Sequence, residues 1–149
     1  MTDIGFYHLV ATPLEKALPK LLEKVLGSGA RAVVMAGSVE RVEALNAQLW
    51  TYATNGFLPH GSVKDGRPER QPIWLTAKDE NPNGATILVL TDGAASDQLA
   101  DYARCLNVFD GADDAAVAEA RARWKLYKDA GHGLTYWQQT ESGGWERKS

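Results

Sequence analysis

The fold class follows from residues 4–35, which read IGFYHLVATPLEKALPKLLEKVLGSGARAVVM. Residues 4–10 are predicted to form a first strand, because their aromatic side chains suit a pleated surface. Thr12 and Pro13 are predicted to begin a helix, with Thr12 as its cap and Pro13 at its first position. Residues 32–35 are a short continuous apolar run, which predicts a strand buried on both faces. The stretch is therefore a strand–helix–strand unit.

The chain after this unit continues the alternation. Ser38 is predicted to cap a second helix that ends near Trp50, and residues 86–90 (TILVL) are predicted to form another deeply buried strand. A short helix around residues 96–103 and a strand at 106–109 follow. Alternating strands and helices are typical of α/β domains. The sequence therefore predicts a mostly parallel central sheet with helices on both faces, in a Rossmann-like topology.

The remaining segments are predicted to extend the same domain. A last helix begins at Asp113 and ends at Gly131, because glycine readily adopts the left-handed conformation that terminates helices. Residues 134–148 are predicted to form a terminal β-hairpin with a glycine-bearing turn. Residues 52–83, which are rich in glycine and proline, are predicted to be an irregular loop segment. Residues 1–149 are predicted to form a single domain, a length that suits one core.

Composition and charge narrow the function classes. The formal net charge is −3, which disfavours direct binding of DNA, since nucleic-acid-binding surfaces are usually basic. The single cysteine, Cys105, excludes an internal disulfide framework and is predicted to be a buried apolar residue. No signal-peptide pattern and no apolar stretch of bilayer length is evident. A cytoplasmic protein without membrane contact is expected.

The sequence shows no convincing catalytic or cofactor motif. Neither GxGxxG nor GxxxxGK[ST] follows a predicted strand, and no serine lies in a Gly-x-Ser-x-Gly turn. His8, His60 and His132 are scattered and lie far from Cys105, so a zinc site is not expected. We therefore predict no catalytic residues, no metal and no cofactor.

An enzymatic alternative remains open. Asp92 follows a buried strand and could contact a ribose or a metal, although Asp92-Gly93 is also an ordinary turn. The Gly37-Ser38 turn at a helix N-terminus could hold an anion, although a plain helix cap also explains it. These features keep open a small nucleotide- or phosphate-binding enzyme on a degenerate Rossmann-like sheet.

The last helix carries a clustered positive face. On a helical wheel, Trp124, Lys125 and Lys128 fall within roughly 60° of Arg121, and Leu126 falls on the far side. An aromatic side chain among cations suits an acidic peptide with an apolar anchor. Cations near a helix C-terminus also complement the helix dipole, which would need no ligand. Direct binding of single-stranded DNA through the same residues is a third possibility, disfavoured by the acidic overall charge.

Several stretches together resemble the chi subunit of bacterial DNA polymerase III holoenzyme. The matching positions occur in the family's order along almost the whole chain and are Phe6-Tyr7, Leu49-Trp50, residues 57–61 (FLPHG), residues 71–76 (QPIWLT), residues 121–127 (RARWKLY), Gly131 and residues 136–139 (YWQQ).

The resemblance implies an α/β domain of nucleotide-binding-like topology that has no nucleotide site. It implies a non-catalytic accessory subunit that links the clamp-loader complex to single-stranded-DNA-binding protein during DNA replication. Members of the family bind the acidic C-terminal tail of that protein, which ends in an apolar residue and a free carboxylate. The resemblance assigns tail binding to Arg121, Trp124 and Lys125, with Lys128 one turn further along.

The resemblance also implies a second partner surface, which in the family binds the psi subunit. The corresponding residues are Trp50, Phe57, Leu58, Pro59 and His60. The partner at this surface is either a psi subunit or another clamp-loader component. DNA would be contacted only indirectly, through these partner proteins.

Overall fold

The computed structural model describes residues 2–51, 60–63 and 65–148. The helices and strands, in chain order, are β1 (Asp3–Leu9), α1 (Leu14–Gly27), β2 (Ala32–Met35), α2 (Val39–Thr51), β3 (Gly61–Ser62), β4 (Ile73–Thr76), β5 (Ile87–Leu90), β6 (Arg104–Asp110), α3 (Asp114–Asp129), β7 (Gly133–Gln139) and β8 (Trp145–Arg147).

These strands form one sheet in the order β3-β4-β2-β5-β6-β1-β7-β8. Every neighbouring pair is parallel except β7 and β8, which form an antiparallel hairpin at one edge. The structure therefore confirms the predicted single α/β domain with a mostly parallel sheet and a terminal hairpin.

The sheet separates two apolar layers. Helices α1 and α2 pack with Leu9, Val34 and Val89 on one face, and α3 packs with Phe6, Val33 and Leu88 on the other. The predicted arrangement of helices on both faces is confirmed. Strands β2 and β5 are buried at every position, because they lie at the centre of the sheet under both layers. No helix in the described residues is both long and apolar enough to cross a bilayer.

The start of α1 differs from the prediction. The helix begins at Leu14, its N-cap position is Pro13, and no side chain caps it. Thr12 does not cap the helix because its hydroxyl accepts a hydrogen bond from Nε2 of Gln139 at 2.7 Å. Oε1 of Gln139 in turn accepts from the backbone N–H groups of residues 10–12 at 2.9–3.1 Å. A side chain of β7 therefore holds the loop that leads into α1.

The described part of segment 52–83 is more regular than the predicted irregular loop. It contains the two-residue strand β3 and the wholly buried strand β4, which lies between β3 and β2. Pro72 immediately precedes β4 and obscures the strand pattern, although a proline is compatible with the first residues of a strand.

The helix expected around residues 96–103 is reduced to a short 3-10 helix at Leu99–Asp101. Ser96 donates to Oδ1 of Asp79 at 2.6 Å and accepts from the backbone N–H of Gln98 at 2.9 Å. Polar side chains that bond nearby groups in this way compete with helix formation. Ser38 behaves as predicted, since its hydroxyl accepts from the N–H of Arg41 in the first turn of α2.

Candidate functional site

Helix α3 has well-defined ends and packs on the sheet through buried and aromatic residues along its length. The side chain of Asp113 caps the N-terminus and accepts from the backbone N–H groups of Ala115 and Ala116 at 3.0 and 3.3 Å. Gly131 ends the helix with φ of +89°, as predicted. The buried residues Ala120 and Tyr127 set which face of α3 lies against the sheet.

Trp124 is the aromatic residue of the predicted site, and it is half-buried. Its ring meets the fully buried ring of Phe6 edge to face, with centroids 5.3 Å apart. It also meets the ring of Tyr136 at 5.9 Å. The indole therefore has one side packed on the sheet, and part of it reaches the surface.

A surface pocket of about 290 Å³ lies beside this indole, lined by Ala120, Arg121, Trp124 and Tyr136. Its lining combines an alanine and two aromatic residues with the charged residue Arg121. The predicted site did not include Tyr136. The alternation of β7 was the available signal, because Leu134 and Tyr136 face α3 while Trp137 faces the opposite layer.

The cations of the predicted site are exposed, and we call Arg121, Lys125 and Lys128, together with Trp124, the cationic face of α3. Within the described part of the chain, none of the three cations forms an ion pair. Arg123 is different, since it bonds Oε1 of Glu119 at 2.6 Å and the carbonyl of Ala94 at 2.7 Å. The structure therefore brings the four predicted residues together on one helix.

His8 lies next to the pocket and is hydrogen-bonded to one of its lining residues, Tyr136. Its Nδ1 is hydrogen-bonded to the hydroxyl of Tyr136 at 2.6 Å, and its ring packs beside Phe109. Burial lowers the pKa of His8, and the nearby charge of Arg121 lowers it further. Burial raises the pKa of Tyr136, with Arg121 acting in the opposite direction. At neutral pH both rings are therefore uncharged, and Arg121 supplies the charge at this pocket.

The second predicted surface is described only in part. Trp50 is 50% exposed on α2, whereas His60 is buried, and their ring centroids are 4.5 Å apart. Phe57, Leu58 and Pro59 lie outside the described residues. The structure therefore joins the two described members of this set, with the indole at the surface and the imidazole beneath it.

The residues of the enzymatic alternative are engaged by the protein itself. Oδ2 of Asp92 accepts from Nε of Arg41 at 3.0 Å and from the N–H of Gly37 at 3.4 Å. Ser38 caps α2, so its hydroxyl is also occupied. These bonds connect the turn after β5 to the N-terminal end of α2.

Among the described residues, Cys105 and the possible metal ligands bear on the same enzymatic alternative. Cys105 is buried, and burial raises the pKa of its thiol to about 12, which keeps it protonated and unreactive. Across residues 2–51, 60–63 and 65–148, no group of three or more His, Cys, Asp or Glu residues is placed to hold a metal ion.

Two comparisons of the sequence with known proteins identify the same family. A family model described as the DNA polymerase III chi subunit, HolC, matches residues 1–135. A protein of Rickettsia prowazekii (strain Madrid E), named probable DNA polymerase III subunit chi, is 38% identical over 105 residues. The matched part is 68% of this chain and 64% of that protein, so the chain spans less than two thirds of this relative's length.

A solved structure shares the fold. The C-terminal domain of the DEAD-box protein Dbp5 is similar with a TM-score of 0.52, and 91% of each chain is covered. The sequence identity is 12%, so this likeness concerns the fold alone.

Proposed function

The chain belongs to the DNA polymerase III chi subunit family, and we propose that it acts in DNA replication as a non-catalytic accessory subunit. In this proposal it links the clamp-loader complex to single-stranded-DNA-binding protein. It makes the link by binding the acidic C-terminal tail of that protein on the cationic face of α3, at Arg121, Trp124, Lys125 and Lys128.

The observation that carries the proposal is a pocket between aromatic rings whose lining includes Arg121, a cation that forms no ion pair with the described residues. A cavity of about 150 Å³ with apolar walls is large enough to bind benzene. The pocket beside Trp124 measures about 290 Å³ and therefore has room for one apolar side chain at the end of a peptide. Arg121 lines the same pocket and can form a two-pronged hydrogen bond with the terminal carboxylate.

Lys125 and Lys128 extend the positive surface away from the pocket. Lys125 follows Trp124 directly, and Lys128 lies one helical turn beyond it, so the two ammonium groups can meet acidic residues that precede the tail's last residue. Both are exposed, and salt screens exposed charges over about 10 Å at 0.1 M ionic strength. Tail affinity should therefore fall as salt rises, while the apolar contact with Trp124 persists.

The link to the clamp loader requires a second surface. We assign it to Trp50, His60 and the segment that contains Phe57, Leu58 and Pro59, and the partner is a psi subunit or another clamp-loader component. Support comes from the half-exposed indole of Trp50, which lies on α2, on the opposite face of the sheet from α3. Two partners could then be bound at once.

The test is a titration of the whole chain with a fluorescent acidic peptide that ends in an apolar residue with a free carboxylate. Arg121→Glu should weaken binding by at least about tenfold, which corresponds to about 1.4 kcal/mol. Lys20→Glu is the matched control, because Lys20 is an exposed cation on α1, across the sheet. It should change affinity by less than about twofold.

A second peptide separates the two parts of the site. The same sequence with a C-terminal amide lacks the terminal charge. Wild type should bind this amide peptide less tightly than the carboxylate peptide, whereas Arg121→Glu should bind the two peptides about equally. Circular dichroism should confirm that both variants are folded. Equal affinity of Arg121→Glu and Lys20→Glu for the carboxylate peptide would refute the proposed tail site.

A further inference from the structure

A second cavity lies at the carboxyl edge of the sheet, between β1 and β6. These strands are neighbours, but β1 leads into α1 on one face and β6 leads into α3 on the other. Ligands of open α/β sheets commonly bind in the crevice formed where neighbouring connections diverge in this way. The cavity measures about 410 Å³, within the range of about 300–1,000 Å³ that is usual for small-molecule sites.

A buried side-chain amide, that of Asn107, forms part of the wall of this cavity. Asn107 is 4% exposed on β6, where its neighbours in register are the apolar residues Phe6 and Leu90. It lines the cavity, and its Nδ2 forms no hydrogen bond with the described part of the protein. Buried polar groups are nearly always hydrogen-bonded. An amide donor at this depth therefore points to an acceptor oxygen on a bound molecule.

The outer wall of the cavity is acidic. Of its carboxylates, those of Glu15 and Asp92 are paired with Arg41, and that of Glu119 is paired with Arg123.

Asp110 and Asp113 are the two other carboxylates in the wall of this cavity. Each accepts only from backbone N–H groups, and neither forms an ion pair among the residues that the structure describes. Because both guanidiniums of the wall are already engaged, the cavity presents net negative charge to a ligand. Phosphates and nucleotides are therefore disfavoured, and a cation is favoured.

We propose that this cavity binds a small organic amine that also carries hydroxyl or carbonyl oxygens. Nδ2 of Asn107 donates to one of these oxygens at the buried end. The ammonium group lies at the open end, near Asp110 and Asp113. The ligand is held by one neutral hydrogen bond inside and by charge attraction outside, so loss of either should weaken binding.

The test uses the whole chain, with the side-chain amide of Asn107 followed by NMR during titration with three probes. Glucosamine carries an ammonium group and hydroxyls, glucose lacks the charge, and cyclohexylamine lacks the oxygens. Glucosamine should shift the amide signals and bind at least about tenfold more tightly than either of the others. Binding of N-acetylargininamide in preference to glucosamine would overturn the proposal in favour of an arginine side chain of a partner protein.

Three variants separate this site from the cationic face of α3. Asn107→Leu removes the donor with little change in size, and it should fold while losing glucosamine binding. Asp110→Asn should weaken glucosamine by at least about fivefold, because it removes a charge and keeps the bond to Ala112. Arg121→Glu should not weaken glucosamine binding, because it adds no positive charge near the cavity. Amide signals that respond to no amine, or that respond to magnesium-ATP or phosphate instead, would overturn the proposal.

Discussion

Phe6 and Trp124 meet edge to face with ring centroids 5.3 Å apart, and this contact joins the centre of the sheet to the cationic face of α3. Phe6 is fully buried on β1, whose neighbour β7 places Tyr136 directly opposite it. The rings of Trp124 and Tyr136 line the proposed tail pocket, and Phe6 supports the indole from the core. The core therefore fixes the position of the indole, and Arg121 lies beside it in the lining of the pocket.

Trp124 should matter for stability as well as for binding. Trp124→Ala removes a half-buried ring, so the free energy of unfolding should fall by about 1–3 kcal/mol, less than the loss of about 3–5 kcal/mol for a fully buried aromatic. Urea denaturation followed by circular dichroism measures the change. Leu126→Ala is the control on the same helix, because Leu126 is 64% exposed and should change stability by less than about 0.5 kcal/mol.

The same comparison tests the packing face of α3. A larger loss for Leu126→Ala than for Trp124→Ala would mean that the helix packs on its other side. The helical wheel placed Leu126 on the far side from the cations, yet the structure exposes it. The buried positions are Ala120 and Tyr127, with Trp124 between them. The cationic face therefore borders the packing face along Trp124.

His8 should make stability depend on pH. Burial is the main cause that lowers its pKa in the folded state below the usual 6.5, so the unfolded state binds the proton more readily. The stabilising contribution of neutral His8 is complete above pH 6.5 and is lost as the pH falls through the folded pKa.

The measurement compares unfolding free energies of wild type and His8→Gln between about pH 8 and pH 5. Glutamine can keep a hydrogen bond to Tyr136 but does not titrate. Wild type should lose more stability on acidification than the variant, and the difference isolates His8 from His60 and His132. Parallel curves would contradict this assignment.

Gly111 should tolerate no side chain. A Cβ atom there would lie 2.5 Å from the carbonyl oxygen of Leu9 and even closer to the ring of His8. Since the first of these atoms belongs to the backbone, Gly111→Ala should cost about 1–3 kcal/mol of stability. Gly27→Ala is the control at the end of α1, where a Cβ meets nothing within 4 Å, and it should be neutral or stabilising by up to about 1 kcal/mol. Similar melting temperatures for the two variants would show that the loop before α3 adapts freely.

Much of the fold could be predicted because its strands are continuous apolar runs. Residues 32–35 and 87–90 lie inside the sheet, where burial on both faces demands such runs. Strand β4 was missed because it follows Pro72, within a segment whose glycines and prolines indicate a loop. Thr12 was misassigned because its partner Gln139 lies at the other end of the chain, and no local pattern reveals that contact.

The candidate site shows the same limit. The cationic face of α3 is local, so helical spacing alone brings Arg121, Trp124, Lys125 and Lys128 together. The pocket is not local, because Tyr136 reaches it from β7 and His8 adjoins it from β1. The second cavity combines residues from β1, β6, α1 and α3, and its key residue Asn107 resembles an interruption in an apolar strand when only the sequence is known.

Gln139 should be the most sensitive polar residue outside these sites. It is 3% exposed, and its carbonyl oxygen holds three backbone N–H groups of the loop between β1 and α1. Gln139→Leu leaves these donors without their acceptor, and we expect a loss of about 2–4 kcal/mol in unfolding free energy, since each hydrogen bond contributes about 1 kcal/mol.

Hydrogen exchange gives the site-specific measurement for this loop. In Gln139→Leu, the amide protons of residues 10–12 should exchange much faster than in wild type, while those of β2 stay protected. Gln139→Glu keeps the acceptor oxygens and loses only the donor to Thr12, so it should preserve most of the protection. Gln138→Leu, at the adjacent position of β7, is the control and should leave the loop unchanged. Fast exchange in Gln138→Leu but slow exchange in Gln139→Leu would mean that something other than Gln139 holds the loop between β1 and α1.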